Sequence, residues 1–197
     1  MRLEPRDTAT WEVTRHPDPI ARLFELASLK LIALDTRPFD LSKLTHLQID
    51  RFVPIAGKTG VTIDRKITPG VTLRGAEGLV GQLVGNLLSN AVKYNHPGGK
   101  VTVSLTRSEL WISDTGPGIP ATELETIFDR LRSNRPHATD GSGFGLPISK
   151  RIAHAHGWHI WAESETGNGA TFIVGFRSRP AADGAASAHA GTRRRCR

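Results

Sequence analysis

The chain has 197 residues, enough for one domain with short extensions and a sizeable core. It is 38% hydrophobic and 23% charged, the composition of an ordinary globular protein, which excludes a fibrous or wholly disordered one. The net charge of +7 is no nucleic-acid signal: from Arg177 onward six Arg against one Asp carry +5, leaving only +2 for residues 1–176.

Residues 1–20 are polar, hold Pro5, Pro17 and Pro19, and show no apolar leader. Residues 21–34 have helical apolar spacing (Leu23, Leu26, Leu29, Ile32). Glu25 and Lys30 interrupt this longest apolar stretch, well short of the ~20 apolar residues of a membrane helix. Asp40 is a plausible N-cap for a helix over 41–57, which Pro54 should kink near its end. Strand patterns follow at Val61–Ile63 and Val71–Leu73, then a long helix over about 76–95. Lys100–Thr106 alternates apolar and polar residues, as a half-buried strand does, and Leu110–Asp114 reads as its neighbour. Residues 115–142 read as a mobile loop with one short helix near 121–131. A helix over 145–156 and strands at 159–164 and 170–176 close the domain, the strands joined by the hairpin signal Thr166-Gly167-Asn168-Gly169. Trp111, Trp158 and Trp161 should pack in or near the core. Beyond Pro180 the Ala/Gly-rich basic tail, with the chain's single cysteine Cys196, cannot build a core. One cysteine also excludes an internal disulfide framework and a multi-cysteine zinc site. The class is α+β, one mixed sheet with helices on one face, and the residues point to a cytoplasmic protein.

Three segments carry chemistry. On the long helix Asn86, Asn90 and Lys93 share one face, bordering the apolar stripe of Val80, Leu83, Val84, Leu87, Leu88 and Ala91. Two amides and an ammonium can serve Mg²⁺ and phosphate, or form a solvated helix face. At a strand end, Asp114 with Gly116 and Gly118 can accept from an exocyclic amine such as that of adenine, or start an ordinary turn. In GSGFGL, Gly141, Gly143 and Gly145 precede a helix N-terminus that favours an anion; a flexible linker reads the same way.

Each signal is modest, but their order is specific. LVGQLVGNLLSNAVKYNHPGG, DTGPGIP, TIFDRLRSN and GSGFGLPISKRIAHAHG resemble, in turn, the N, G1, F and G2 boxes of the histidine-kinase ATP-binding domain. WAESETGNGATF resembles that family's last two strands, and the resemblance covers about residues 22–177. It implies a Bergerat-type two-layer α/β sandwich of the GHKL superfamily, with about five strands under three helices across 40–177 and an ATP lid at about 117–142. By position, Asn90 would coordinate Mg²⁺ with Asn86 in the same site, Lys93 would contact phosphate, and Tyr94 would pack on the nucleoside. Asp114 would read the adenine amine, with Gly116, Gly118 and Ile119 shaping the purine pocket. Gly141, Ser142, Gly143, Phe144, Gly145 and Leu146 would hold the phosphates. Arg130 would reach the γ-phosphate, and Phe128 would act as a hydrophobic tab. ATP and Mg²⁺ are the implied ligands.

Related branches resemble one another in carrying a Glu at position 86 as base for water. Asn86 is no base at neutral pH, so the site favours transfer over hydrolysis. The family's phosphoacceptor histidine lies on an N-terminal helical dimerisation hairpin whose second helix resembles residues 21–37. With only 20 residues before it, the expectation is a chain truncated before that histidine. Pro17 and Pro19 oppose a helix through His16, leaving it a loop histidine. His154 and His156 point differently on one helix and do not make a metal site. The partners expected are a histidine-bearing helical domain and, as a further candidate, a response regulator, with no nucleic acid and no membrane segment. The alternatives are a non-catalytic nucleotide- or partner-binding module or inactive fragment, and a serine kinase of the anti-sigma-factor type. The F box and the helix at 21–34 argue against the last.

Overall fold

The computed structural model describes residues 35–129 and 144–176. The readings made for His16, the helix at 21–34, Arg130, Gly141, Ser142, Gly143 and the basic tail lie outside them. In chain order the elements are β1 (Arg37–Asp40), α1 (Leu41–Lys58), β2 (Thr62–Ile67), β3 (Thr72–Gly75), α2 (Glu77–Lys93), β4 (Lys100–Leu105) and β5 (Glu109–Asp114). Then come the single turn α3 (Ala121–Leu124), α4 (Gly145–Ala155) and a closing hairpin of β6 (His159–Ser164) and β7 (Ala170–Gly175).

Asp40 caps α1 as its sequence position suggests, its carboxylate accepting from the Lys43 N–H at 3.0 Å. The helix continues through Pro54 to Lys58. Five strands form one mixed sheet in the order β2–β4–β5–β7–β6, with β2 parallel to β4 and the other pairs antiparallel. A parallel pair needs a crossover, and α2 lies within it. Val101, Val103 and Leu105 of β4, Leu110 and Ile112 of β5, and Phe172 and Val174 of β7 are buried on one face. Leu83, Val84, Leu87 and Leu88 of α2 and Ile148 and Ile152 of α4 are buried too. Each such side chain contributes roughly 1.5–3 kcal/mol on burial. This is the expected α+β sandwich. No helix among the described residues is long and apolar enough to cross a membrane.

Three details differ from the sequence reading. β3 does not join the main sheet but pairs antiparallel with β1 as a separate two-stranded ribbon. The run Arg-Pro-Phe-Asp is too short to show a period, and Pro38 lacks a ladder N–H, so β1 has no signal of its own. The helix near 121–131 is a single turn ending at Leu124, followed by i→i+3 bonds from Thr126 to Glu123 and from Asp129 to Thr126. Trp158 is buried against His156 and Phe176, but Trp111 and Trp161 lie on the opposite sheet face. Their register sets both beside Ile173, and their indole N–H groups donate to Glu109 and Glu163. Strand alternation dictates this, since Leu110 and Ile112 already face inward.

Candidate nucleotide site

The C-terminal end of α2 meets the turn that follows β5. Asn86, Asn90, Lys93 and Tyr94 follow one another along the last two turns of α2 and its cap. A Cβ on Gly116 would stand 2.5 Å from the Tyr94 carbonyl oxygen, so only glycine lets the turn after Asp114 close on the helix. Asn95 and His96, just past α2, tie the same two elements: Thr115 Oγ1 donates to Asn95 Oδ1 (3.2 Å), and His96 Nε2 lies 3.0 Å from the Thr115 carbonyl. Lys93 is exposed, its Nζ 5.5 Å from the centre of the Tyr94 ring.

Asp114, at the end of β5, is half-buried beside this turn. Burial pushes its carboxyl above the ordinary carboxylate range, while hydrogen bonds from the Gly116 and Ala170 N–H groups pull the other way. Both donors reach Oδ1, at 2.8 and 3.3 Å. The carboxylate is therefore held in one orientation by backbone from two separate segments.

The grip of the β6–β7 turn on this carboxylate and its loop has no signal in the three motif segments. Gly169, at φ +79°, lies so close to the Asp114 carbonyl that a Cβ there would collide with it. Gly118, at φ +74°, abuts the Glu165 carbonyl in the same way. The Gly167 N–H donates to the Pro117 carbonyl at 2.8 Å, and the Ile119 N–H donates to Ser164 Oγ at 2.8 Å. The hairpin signal at 166–169 was legible in the sequence; its contact with the loop at 114–119 was not, because the two segments are about fifty residues apart.

Further back along α2, toward α4, Asn86 Nδ2 donates to the Gly145 carbonyl at 3.2 Å and lies 3.5 Å from Ser149 Oγ. Ser149, fully buried, also donates to the Gly145 carbonyl at 2.9 Å. The start of α4 is thus tied to the middle of α2, bringing Phe144, Gly145 and Leu146 to the helix that bears Asn86 and Asn90. The Asn90 amide makes no hydrogen bond among the described residues. Phe128 is buried edge-on against Phe172, with ring centroids 6.3 Å apart, and Asp129 pairs with Lys150 of α4 at 2.7 Å. An open groove of about 710 Å³ runs between α1 and α2, and Asn86 lies on its wall. His156 uses both ring nitrogens on backbone: Nδ1 toward the Ile152 carbonyl (2.7 Å) and Nε2 accepting from the Ala76 N–H (3.0 Å). It is a helix clamp in place of the side-chain cap that α2 lacks.

The donor set suits a purine nucleotide. A half-buried, oriented carboxylate matches an amine, glycine backbone permits close approach, and the Asn90 carboxamide oxygen suits Mg²⁺, which takes few protein oxygens when phosphates supply others. The family model for histidine kinase-, DNA gyrase B- and HSP90-like ATPases matches residues 75–180. The adaptive-response sensory kinase SasA of Synechococcus elongatus is 43% identical over 97 residues, 46% of this chain and 25% of that protein. The sensor protein ChvG of Rhizobium meliloti is 34% identical over 171 residues, 77% of this chain and 30% of that protein. The chain thus spans about a quarter to a third of the length of these relatives. Among solved structures, the mycobacterial sensor histidine kinase MprB aligns with a TM-score of 0.64 at 28% identity, over 73% of this chain and 99% of that one. Full-length ShkA in complex with AMPPNP aligns with a TM-score of 0.67 at 26% identity, over 80% of this chain and 34% of that one. The boxes, the sandwich and the site geometry thus coincide with a family match over more than half of the chain, and the protein belongs to the histidine kinase-, DNA gyrase B- and HSP90-like ATPases, its described domain being the ATP-binding catalytic domain of a sensor histidine kinase.

Proposed function

We propose that this domain binds Mg·ATP and transfers the γ-phosphoryl group to a histidine on a helical domain supplied in trans. The observation that carries the reading is Asn86. It offers a carboxamide where water activation needs a base, and its amide nitrogen is spent on the Gly145 carbonyl. With no base for water at that position, bound ATP is kept for another nucleophile.

In this reading Asp114 accepts from the adenine amine, and Tyr94 packs against the nucleoside. Gly116, Gly118 and Ile119 shape the purine pocket. Asn90 offers its oxygen to Mg²⁺, and Lys93 neutralises phosphate. Phe144, Gly145 and Leu146, with Gly141, Ser142 and Gly143, enclose the phosphates, and Arg130 reaches the γ-phosphate. Phe128 anchors the segment that precedes Arg130. ATP supplies the transferred group; the chain's own work is positioning and electrostatic stabilisation. A response regulator is the natural onward acceptor.

The test is radiolabelled ATP with and without a separate histidine-bearing helical domain. Acid-labile, base-stable label on that domain is expected. Nucleotide binding with no label on any acceptor would leave a binding module. Asn90→Ala should weaken Mg-ATP binding by about 100-fold in calorimetry, on the scale of one preorganised electrostatic contact, and leave Mg²⁺-free binding nearly unchanged.

A further inference from the structure

We propose that Ser164 is a positioning residue for purine recognition: its hydroxyl ties the loop after Asp114 to the β6–β7 turn, and so sets how sharply the site distinguishes a 6-amino from a 6-oxo purine. The inference rests on the reading of Asp114 as the adenine contact.

Ser164 is the last residue of β6, on a strand outside the motif segments. Its Oγ accepts from the Ile119 N–H at 2.8 Å and donates to the Gly169 carbonyl at 2.6 Å. Both bonds are short, and the two directions use the hydroxyl as donor and acceptor at once. One bond holds the far side of the loop at 114–119. The other holds the turn residue whose backbone presses on the Asp114 carbonyl and whose neighbour, Ala170, donates to Asp114 Oδ1. The hydroxyl therefore closes a ring running from Asp114 through Gly118 and Ile119 to Ser164, then through Gly169 and Ala170 back to Asp114. Removing it leaves the Ile119 N–H and the Gly169 carbonyl unpartnered by this side chain, so that the turn and the loop are joined only through the Gly167 N–H to the Pro117 carbonyl and the Ala170 N–H to Asp114, and the carboxylate is placed less tightly.

Recognition of an amine by one carboxylate oxygen depends on that oxygen's placement to about 0.5 Å. A loosened carboxylate bonds the 6-amino group less well. It also repels a 6-oxo group less, because it can move away. The two effects lower the same ratio. A purely structural serine would change stability and leave that ratio untouched.

The experiment measures dissociation constants of the full chain for ATP and for inosine triphosphate, with melting temperatures alongside. The variants are Ser164→Ala, Ser164→Thr and, as control, Asp114→Asn. Ser164→Ala should lower the ATP-to-inosine-triphosphate selectivity about tenfold, and Ser164→Thr, which keeps the hydroxyl, should restore most of it. A folded Ser164→Ala with wild-type selectivity, beside an Asp114→Asn that has lost it, overturns the role of Ser164 alone. An Asp114→Asn with unchanged selectivity overturns the adenine contact and this inference with it. Should Ser164→Ala fail to fold, Ser164→Cys decides, because its thiol keeps the shape with a weak donor. Reduced selectivity there supports the role, and wild-type selectivity overturns it.

Discussion

At the end proposed for the purine, Asp114 and its glycines are gripped by backbone N–H groups and by the Ser164 hydroxyl, drawn from the loop after β5 and from the β6–β7 hairpin. At the end proposed for the phosphates, α2 meets α4 through the Asn86 amide, directed at the Gly145 carbonyl that the Ser149 hydroxyl of α4 also reaches. The first region is over-determined: several bonds and three collisions-in-waiting, at Gly116, Gly118 and Gly169, specify the same geometry. The second is a single polar stitch over an apolar helix interface. On the proposed function, over-determination suits the end that would read a base by shape, and a lighter tie suits the end that would accommodate phosphate, metal and a second protein.

The largest effect expected from breaking this contrast comes from the turn. In Gly169→Ala the new Cβ meets the Asp114 carbonyl at a positive φ, costing about 2–4 kcal/mol in chemical denaturation. ATP affinity should fall with it, by up to about 100-fold where the variant still folds, as expected for a displacement near 1 Å.

Asp114→Asn should act on recognition and spare the fold. Loss of a charge-assisted bond of about 1.5–3 kcal/mol lowers ATP affinity roughly 10- to 150-fold. The amide oxygen can still accept from Gly116 and Ala170, and the partly desolvated charge is gone, so the melting temperature at neutral pH should equal or exceed that of the wild type. The pH dependence has a definite sign. Because burial raises the folded carboxyl above its unfolded value, the folded state binds more protons between those two values. This group's contribution to stability therefore falls as pH rises through that window, whereas ATP affinity rises, since the ionised form accepts the amine. Thermal and binding titrations of wild type and variant across the acid range would reveal opposite slopes that Asp114→Asn removes.

Asn86→Ala should be the mildest. It removes one neutral hydrogen bond of about 0.5–1.5 kcal/mol and lowers ATP affinity less than about tenfold. An effect larger than that of Asp114→Asn would reverse the ranking of the two ends.

The same contrast explains what was legible in the sequence. Local chemistry was. The cap at Asp40, the span of α2, the alternation in β4 and the start of α4 at Gly145 each follow from neighbouring residues. The motif residues of the site were legible for the same reason, as short runs at helix and strand ends. Ser164, Gly169 and His156 were not, because each acts on a partner distant in sequence: Ile119 for Ser164, Asp114 for Gly169, and Ala76 for His156, eighty residues away. A serine at a strand end or a glycine in a turn looks the same whether it faces water or props up a carboxylate. The outward tryptophans teach a related point. Hydrophobicity alone suggested the core, while alternation with Leu110 and Ile112 decided Trp111's face.

The position of the closing hairpin also has a consequence in time. Synthesis proceeds from the N-terminus, so the residues proposed to touch nucleotide on α2 and after β5 leave the ribosome well before the turn that steadies them. A nascent chain that has not yet emitted residue 170 owns every motif up to Gly145 but no working receptacle for a base. On the proposed reading, competence to hold ATP thus waits for the last strand of this domain to zip between its two neighbours.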